Sequence, residues 1–160
     1  MKLCTTVLLV SALVASACGF QLQGRVVLPP MLAVVQIETV DAQSDFVQDL
    51  RRTLLASGAR LAASPAGATA VIRVERDELG ERVLSVSGRN IPAEYELTYS
   101  VRLSVSSDGK ERMAAEEMSL SREFSFDETR VLAKQREQDS LREALARDLV
   151  GMVMRRLASL

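Results

Sequence analysis

The stretch that decides the fold is EYELTYSVRLSVSSDGKERMAAEEMSLSREFSF, residues 94–126. Apolar and polar residues alternate from Glu94 to Ser106, which is the pattern of a half-buried strand. Asp108-Gly109 then indicates a tight hairpin turn, and Arg112–Phe126 forms the returning strand, whose apolar face Arg122 interrupts. We therefore predict a long antiparallel hairpin with these inward-facing residues: Tyr95, Leu97, Tyr99, Val101, Leu103, Val105, Met118, Leu120, Phe124 and Phe126.

A strand and a helix precede this hairpin. Ala33–Val40 is rich in Val and Ile, as strands are. Ser44-Asp45 can cap a helix that runs through Leu55 or Ala56, and Gly58 is typical of the residue that ends one. The helix would bury one apolar stripe made of Phe46, Val47, Leu50, Leu54 and Leu55.

A further strand region lies between that helix and the hairpin. A loop of small residues, Ala62–Ala68, leads into Ala70–Leu79, where one side is mostly charged and the other begins apolar. The strand pattern then continues through a turn or bulge at Gly80 into Arg82–Ser87.

The chain ends in its clearest helix. After a polar connection, Asp127–Glu137, the segment Ser140–Leu157 carries an apolar stripe and has Arg155 and Arg156 in its last turn, where cations suit the helix dipole. The predicted order is β-α-β-β-β-α. We expect an α+β two-layer sandwich, with two helices packed on one face of a four-stranded, largely antiparallel sheet.

The first residues read as a leader rather than as part of the fold. Lys2 precedes a short apolar run, and Ala15-Ser16-Ala17 are small residues ahead of Cys18. This order predicts a removable signal peptide over residues 1–17, a lipidated tether over residues 18–30 and one domain over residues 31–160. Cys18 would carry N-acyl and S-diacylglycerol groups, whose chains would anchor the protein. The alternative is an ordinary signal peptidase site that Cys18 merely follows.

Composition excludes several kinds of site. The chain has no His, and the predicted mature chain keeps only one Cys, so the sequence offers no His-based nucleophile pair and no internal disulfide. A net charge of −1 gives no footprint for nucleic acid. We expect no cofactor, no metal and no enzyme activity. The paired carboxylates Glu116-Glu117 and Asp127-Glu128 keep an envelope hydrolase open as a minor alternative.

The order of several short segments resembles the lipopolysaccharide-assembly lipoprotein family LptE, also called RlpB. Behind Cys18, the segment Cys18–Leu22 is similar to the start of the family's mature chains. Other similar segments are Leu50–Leu54 before Gly58, Arg89-Asn90 with Ala93–Tyr95, Leu132–Lys134 with Glu137–Asp139, and Arg155–Leu157.

This resemblance implies a function without turnover. Members plug an outer-membrane β-barrel of the LptD type, help it assemble, and take part in placing lipopolysaccharide in the outer leaflet. It implies a one-to-one complex with that barrel, a lipid-anchored position on the periplasmic side of the outer membrane, and lipopolysaccharide binding at Arg89 and Lys134. Gly19 agrees with outer-membrane sorting, since it is not the Asp that resembles a retention signal. A stand-alone lipoprotein that binds lipid or envelope proteins is the alternative.

Overall fold

The computed structural model describes residues 26–125 and 131–160, with side chains in the second range from residue 135 onward. The two helices are α1 (Asp45–Ala56) and α2 (Val131–Ala158). Short 3-10 turns occur at Pro30–Leu32 and Pro65–Gly67. The strands are β1 (Val34–Thr39), β2 (Arg60–Leu61), β3 (Ala70–Val86), β4 (Pro92–Ser107) and β5 (Lys110–Ser125).

The sheet differs from the predicted one in strand number and in direction. It has five strands in the order β2-β1-β3-β4-β5. The pairs β1–β2 and β1–β3 are parallel, whereas β3–β4 and β4–β5 are antiparallel, so the sheet is mixed. The predicted four-stranded, largely antiparallel sheet is therefore wrong in these details. Strand β3 runs parallel to β1 because the chain between them passes through α1, and a helical crossover allows the next strand to run in the same direction.

The unpredicted strand β2 is very short. Two backbone bonds to the first strand region define it, from Arg60 N to Ala33 O and from Ala62 N to Val35 O, each 2.9 Å long. These bonds involve main-chain atoms only, and both β2 side chains are exposed. The pattern of apolar and polar residues therefore could not predict this strand.

Helix α1 forms as predicted. The Ser44 side chain accepts a hydrogen bond from the Val47 N–H at 3.2 Å, which satisfies one of the free donors of the first turn. Beyond the last turn, Gly58 has φ of 94°, a conformation that favours glycine. The buried residues of α1 are Phe46, Val47, Leu50 and Leu54, whereas Leu55, which was expected in the same stripe, is 53% exposed.

The β4–β5 hairpin is also confirmed. Asp108 and Gly109 both have positive φ, as a tight hairpin turn requires. Met113 and Met118 are both buried although they are five positions apart, because the register shifts between Leu103 and Val105 and gives β5 an extra residue there. The predicted apolar face of β4 is buried from Leu97 to Val105.

Both helices cover one face of the sheet, as predicted, and α2 packs against β4 and β5. Arg156 Nε of α2 lies 2.9 Å from Glu116 Oε2 on β5, and Arg122 of β5 lies 3.2 Å from Asp148. Arg122, which interrupts the apolar face of β5, thus pairs with an acidic residue of α2. The opposite face of the sheet is polar, with serine, threonine and paired charges.

Helix α2 begins at Val131, earlier than the predicted Ser140, so the part of the expected polar connection from residue 131 onward is helical. Residues 135–140 are exposed or half-buried, so they show no apolar stripe from which a helix could be recognised. Tertiary contacts hold this part of the helix. Gln138 Nε2 donates to Glu81 Oε2 on β3 at 2.6 Å, and Arg142 Nε lies 2.8 Å from Asp45 Oδ2 on α1.

Strand β3 is continuous and has two different stretches. Gly80 pairs regularly with Thr98, so the expected turn or bulge at Gly80 is wrong; the irregularities lie between Val74 and Arg76 and around Ser85. In the first stretch, residues 70–74, β3 pairs with β1 on one side and β4 on the other. In the second stretch, residues 76–86, its only strand partner among the described residues is β4.

Candidate functional site

Arg89 lies in the turn that joins β3 to β4, and its side chain is exposed. The turn is closed by two backbone bonds, from Ser87 N to Ile91 O at 2.7 Å and from Asn90 N to Ser87 O at 2.9 Å. Asn90 adopts φ of 60°, a left-handed conformation that Asn tolerates better than most residues. The local bonds therefore hold the backbone beside Arg89 in a defined shape at the tip of the sheet.

Lys134 lies near the start of α2. Its side chain is outside the described atoms, and one turn further along the helix Gln138 donates a hydrogen bond to Glu81 of β3. Glu81 belongs to the second stretch of β3 and lies eight positions before Arg89, so α2 meets this strand well before the turn that carries Arg89. Cys18, the predicted lipid anchor, lies outside the described residues.

An aromatic pair lies on the helix-bearing face of the sheet, near the turn between β3 and β4. Val83, Tyr95 and Phe124 lie opposite one another on β3, β4 and β5. The Tyr95 and Phe124 rings stack with centroids 5.4 Å apart and planes inclined by 14°. Phe124 is buried, Tyr95 is half-buried and Val83 is exposed. In this row of three side chains, the exposed fraction therefore increases from β5 to β3.

A polar cluster marks the point where the second stretch of β3 begins. Ser44, the N-cap of α1, donates its hydroxyl to Asp77 Oδ2. Asp77 also accepts from the buried Tyr99, and burial, followed by this hydrogen bond and the nearby negative charge, raises the pKa of Tyr99 well above its ordinary value. The residues are far apart in sequence, so no local motif could have revealed the cluster. Its contacts join α1 to the sheet.

The candidate carboxylate pair Glu116-Glu117 does not form a joint site. Glu116 lies on the helix-bearing face and pairs with Arg156, whereas Glu117 lies on the polar face 3.9 Å from Arg76 Nη1. Neighbouring side chains on a strand point in opposite directions, which explains the separation. Asp127-Glu128 lies outside the described residues. No group of three His, Cys, Asp or Glu side chains suited to a metal ion occurs in the part of the chain that the structure describes.

A polar cleft of about 520 Å³ lies between α1 and α2. Its walls include the carboxylates of Asp45, Asp49 and Glu143 beside the cations Arg52 and Arg147. Arg52 pairs with Asp49, and Asp45 pairs with Arg142, so the charges of the cleft largely compensate one another. Among the described helices, none is long and apolar enough to cross a membrane.

Comparison with known proteins places this architecture in a class. Two helices on one face of a mixed sheet define a small α+β domain that several solved bacterial lipoproteins share. The family model described as LptE, lipopolysaccharide-assembly, matches residues 32–157. The chain therefore belongs to the LptE family. No curated protein sequence matches the chain.

Solved structures show the same fold. Uncharacterized lipoprotein B from Nitrosomonas europaea is 26% identical, with a TM-score of 0.73 over 88% of this chain and 91% of that one. Rare lipoprotein B from Shewanella oneidensis is 24% identical, with a TM-score of 0.69 over 79% and 94% of the two chains. A minor lipoprotein from Acinetobacter baumannii is 19% identical, with a TM-score of 0.67 over 82% and 94%. The last two likenesses concern the fold alone.

Proposed function

We propose that this LptE-family protein is an outer-membrane lipoprotein that plugs an LptD-type β-barrel in a one-to-one complex, helps the barrel assemble and takes part in placing lipopolysaccharide in the outer leaflet. The observation that carries the proposal is the family match over residues 32–157, which spans the whole helix-and-sheet unit. The role is binding and assembly, without a catalytic step. Cys18, with its N-acyl and S-diacylglycerol groups, would hold the domain on the periplasmic side of the membrane.

The two predicted cationic positions support binding of an anionic lipid. Lipid A phosphates are dense anions, for which Arg offers a planar donor fork and Lys a mobile point charge. Arg89 is exposed on a turn that backbone hydrogen bonds close, and Lys134 lies on the helix that contacts β3 at Glu81. This arrangement is suited to receiving phosphates from solvent.

The polar face of the sheet supports the plug role. It carries hydroxyls such as Thr98 and Ser121, whose oxygens lie 2.8 Å apart. Its charges are paired, for example Arg82 with Glu96 at 2.9 Å and Arg102 with Glu75 at 3.2 Å. A hydrated face with compensated charges suits the polar lumen of a large barrel.

The experiment that tests the proposal is affinity purification of the tagged full-length protein from detergent-solubilised membranes, followed by mass spectrometry. Stoichiometric recovery of a large outer-membrane barrel is the expected result. Recovery of the lipoprotein alone, in detergents that preserve such complexes, would contradict the plug role and favour a stand-alone envelope binder.

The anchor is tested separately. We expect Cys18→Ala to move the protein from the membrane fraction to the soluble periplasmic fraction, because its acyl chains provide the membrane affinity. Fractionation and fatty-acid labelling measure this change. Membrane association that persists in Cys18→Ala without any label would show that another contact anchors the protein.

The binding site is tested by charge reversal. We expect Arg89→Glu with Lys134→Glu to lower lipopolysaccharide recovery with the full-length protein about tenfold or more, because two charge-assisted contacts become repulsive. Arg60→Glu with Arg155→Glu makes the same change in net charge at two exposed positions outside the proposed site and should have little effect. Equal losses in the two variants at matched salt would show a nonspecific effect of net charge.

A further inference from the structure

The chain enters the domain at the end opposite to Arg89. The first described residue is Val26, and β1 follows it from Val34. Since β1 is parallel to β3, with Val35 opposite Ala70, both strands start at the same end of the sheet. Strand β3 then runs for about 50 Å, at about 3.3 Å per residue, before the chain reaches the turn that carries Arg89. We call the end where both strands start the entry end.

Two segments at the entry end carry no charged residue. They are residues 26–35 and residues 61–69, which contain no Asp, Glu, Lys or Arg. Charged residues make up 26% of the whole chain, so their absence from both segments is unusual. The segments are bonded to each other, since Thr69 donates its hydroxyl to Met31 O at 2.7 Å and its backbone N–H to Val34 O at 2.8 Å. We call the two segments together the uncharged surface.

The uncharged surface exposes apolar side chains. Val27 is 84% exposed and Leu61 is 36% exposed. Val26 and Leu28 pack against the core on either side of Val27, so the fold sets the position of Val27. The smaller exposed residues of the surface include Pro30, Ala33, Ala63, Pro65 and Ala66. Single exposed apolar residues are ordinary, but a group of them on bonded segments without any charge indicates an interaction surface.

The backbone of the uncharged surface is held by its own contacts. Within the second segment, Gly67 N donates to Ser64 O at 3.2 Å and Ala68 N donates to Pro65 O at 3.1 Å. In the first segment, Leu32 is fully buried. Because these contacts already order both segments, a partner that binds here loses little affinity to the ordering of a loop.

The charged side chains at the entry end belong to neighbouring elements. Asp108 and Lys110 lie at the β4–β5 turn, which β3 separates from β1. Arg60 precedes the second segment, and Arg155 lies in the last turn of α2. Contact with the uncharged surface therefore leaves the charges of the β4–β5 turn to one side, where water still reaches them.

The partner follows from the place of the predicted anchor. Cys18 lies eight residues before Val26, and eight residues span at most about 28 Å when fully extended. An anchored protein therefore keeps its entry end close to the membrane. Moving a charge out of water costs much more free energy than moving an uncharged group. A surface of Val, Pro and Ala side chains is thus suited to the partly dehydrated headgroup region of a bilayer.

We propose that the uncharged surface docks on the phospholipid headgroups of the leaflet that holds the lipid anchor. The inference rests on the proposed function, because it needs the anchor at Cys18, and it deepens that function by assigning the membrane-facing side of the domain. A tether alone leaves the orientation of the domain open. Docking through Val27 and Leu61 sets this orientation, with Arg89 directed away from that leaflet.

Fluorescence quenching on vesicles tests the orientation. The full-length lipidated protein, with the partners that co-purify, is reconstituted in vesicles of phosphatidylethanolamine and phosphatidylglycerol that contain a lipid with a nitroxide quencher on its headgroup. Since lipidation consumes the thiol of Cys18, an introduced cysteine is the one free thiol of the mature chain and takes the fluorophore. The label is placed at Ala66→Cys or, as the control, at Gly88→Cys. Both positions are exposed, and a side chain at Gly88 meets nothing within 4 Å.

We expect the nitroxide to quench the label at Ala66→Cys several-fold more than the label at Gly88→Cys, because position 66 would lie at the headgroups. Equal quenching, or stronger quenching at position 88, would overturn the docking and leave the anchor standing. If the labelled protein does not float with the vesicles, the anchor of the proposed function fails, and the docking fails with it.

A matched pair of substitutions measures the role of the exposed valine. Val27 is 84% exposed at the entry end, and Val40 is 89% exposed beyond the other end of β1. We expect Val27→Asp to lower the quenching at Ala66→Cys several-fold, because a carboxylate resists leaving water. Val40→Asp should leave the quenching unchanged. Equal quenching in the two variants would contradict docking through Val27.

Photocrosslinking in cells distinguishes the membrane from a protein partner. A photoreactive amino acid in place of Ala66 in the full-length protein should give adducts with phospholipid. A barrel, or any other protein, as the main adduct would overturn the membrane assignment and make the uncharged surface a protein contact.

Discussion

The two stretches of β3 belong to one strand but have opposite environments. In residues 70–74, strand partners lie on both sides and the inward residues Ala70, Ile72 and Val74 are at most 2% exposed. In residues 76–86, β4 is the strand partner and Leu79, Val83 and Val86 are 40–54% exposed. Apolar side chains in the first stretch stabilise the fold, whereas those in the second contribute little to it.

This difference indicates which side chains of β3 can be substituted with little loss of stability. Burial removes apolar surface from water and makes the first stretch costly to alter. The second stretch keeps its shape through pairing with β4 and through the contacts of Asp77 and Glu81 with the two helices, so its exposed apolar side chains are less important for stability. Three predictions test the contrast between the two stretches.

The largest expected effect is on stability. Ile72→Ala, in the first stretch, should lower the free energy of unfolding by about 3 kcal/mol, because it removes buried methyl groups and leaves a cavity. Leu79→Ala, in the second stretch, should cost less than about 1 kcal/mol, because much of that side chain already contacts water. Urea denaturation of both variants measures the difference. Similar losses would mean that the second stretch is part of the core.

The second prediction concerns the border between the stretches, where Asp77 accepts a hydrogen bond from Tyr99. Because the pKa of Tyr99 is raised in the folded protein, the unfolded state loses its phenolic proton first as pH rises. Below about pH 10 the contribution to stability is fully present, and above it stability should fall by up to about 1.4 kcal/mol per pH unit.

Tyr99→Phe is the matched variant for this measurement. It keeps the buried ring and removes the titrating hydroxyl, so the free energy of unfolding should fall less steeply above about pH 10 than in the wild type. Denaturation midpoints measured from neutral to alkaline pH give both slopes. If the two proteins lose stability in parallel, other groups cause the alkaline loss and the Tyr99–Asp77 contact does not contribute.

Local patterns in the sequence predicted a large part of the fold. The β4–β5 hairpin, β1 and α1 follow from alternation, turn residues and the Ser44 cap, all of which act over a few positions. The parallel pairing of β1 with β3 and the two-residue strand β2 depend on backbone contacts between distant segments. The first turns of α2 lack an apolar stripe in their described residues, and contacts such as Gln138–Glu81 hold them.

The candidate site was predicted less completely than the fold. Arg89 came from a family resemblance, and the structure adds that it lies on an ordered, exposed turn. Cys18 and the Lys134 side chain stay predictions. The exposure of Leu79 and Val83 was not predicted, because in the sequence they look like ordinary strand residues. Their exposure depends on where β1, α1 and α2 stop, which no local pattern contains.

The smallest expected effect concerns the link between α1 and the second stretch of β3. Ser44→Ala removes both the cap to Val47 and the bond to Asp77, and should lower the free energy of unfolding by about 1 kcal/mol. Ser64→Ala is the control, since Ser64 precedes a 3-10 turn without a side-chain cap, and should change stability by less than about 0.5 kcal/mol. A Ser44→Ala cost no larger than this control would show that the second stretch and α1 are fixed independently. A cost well above it would mean that the start of α1 holds Asp77, and with it the beginning of the second stretch, in place.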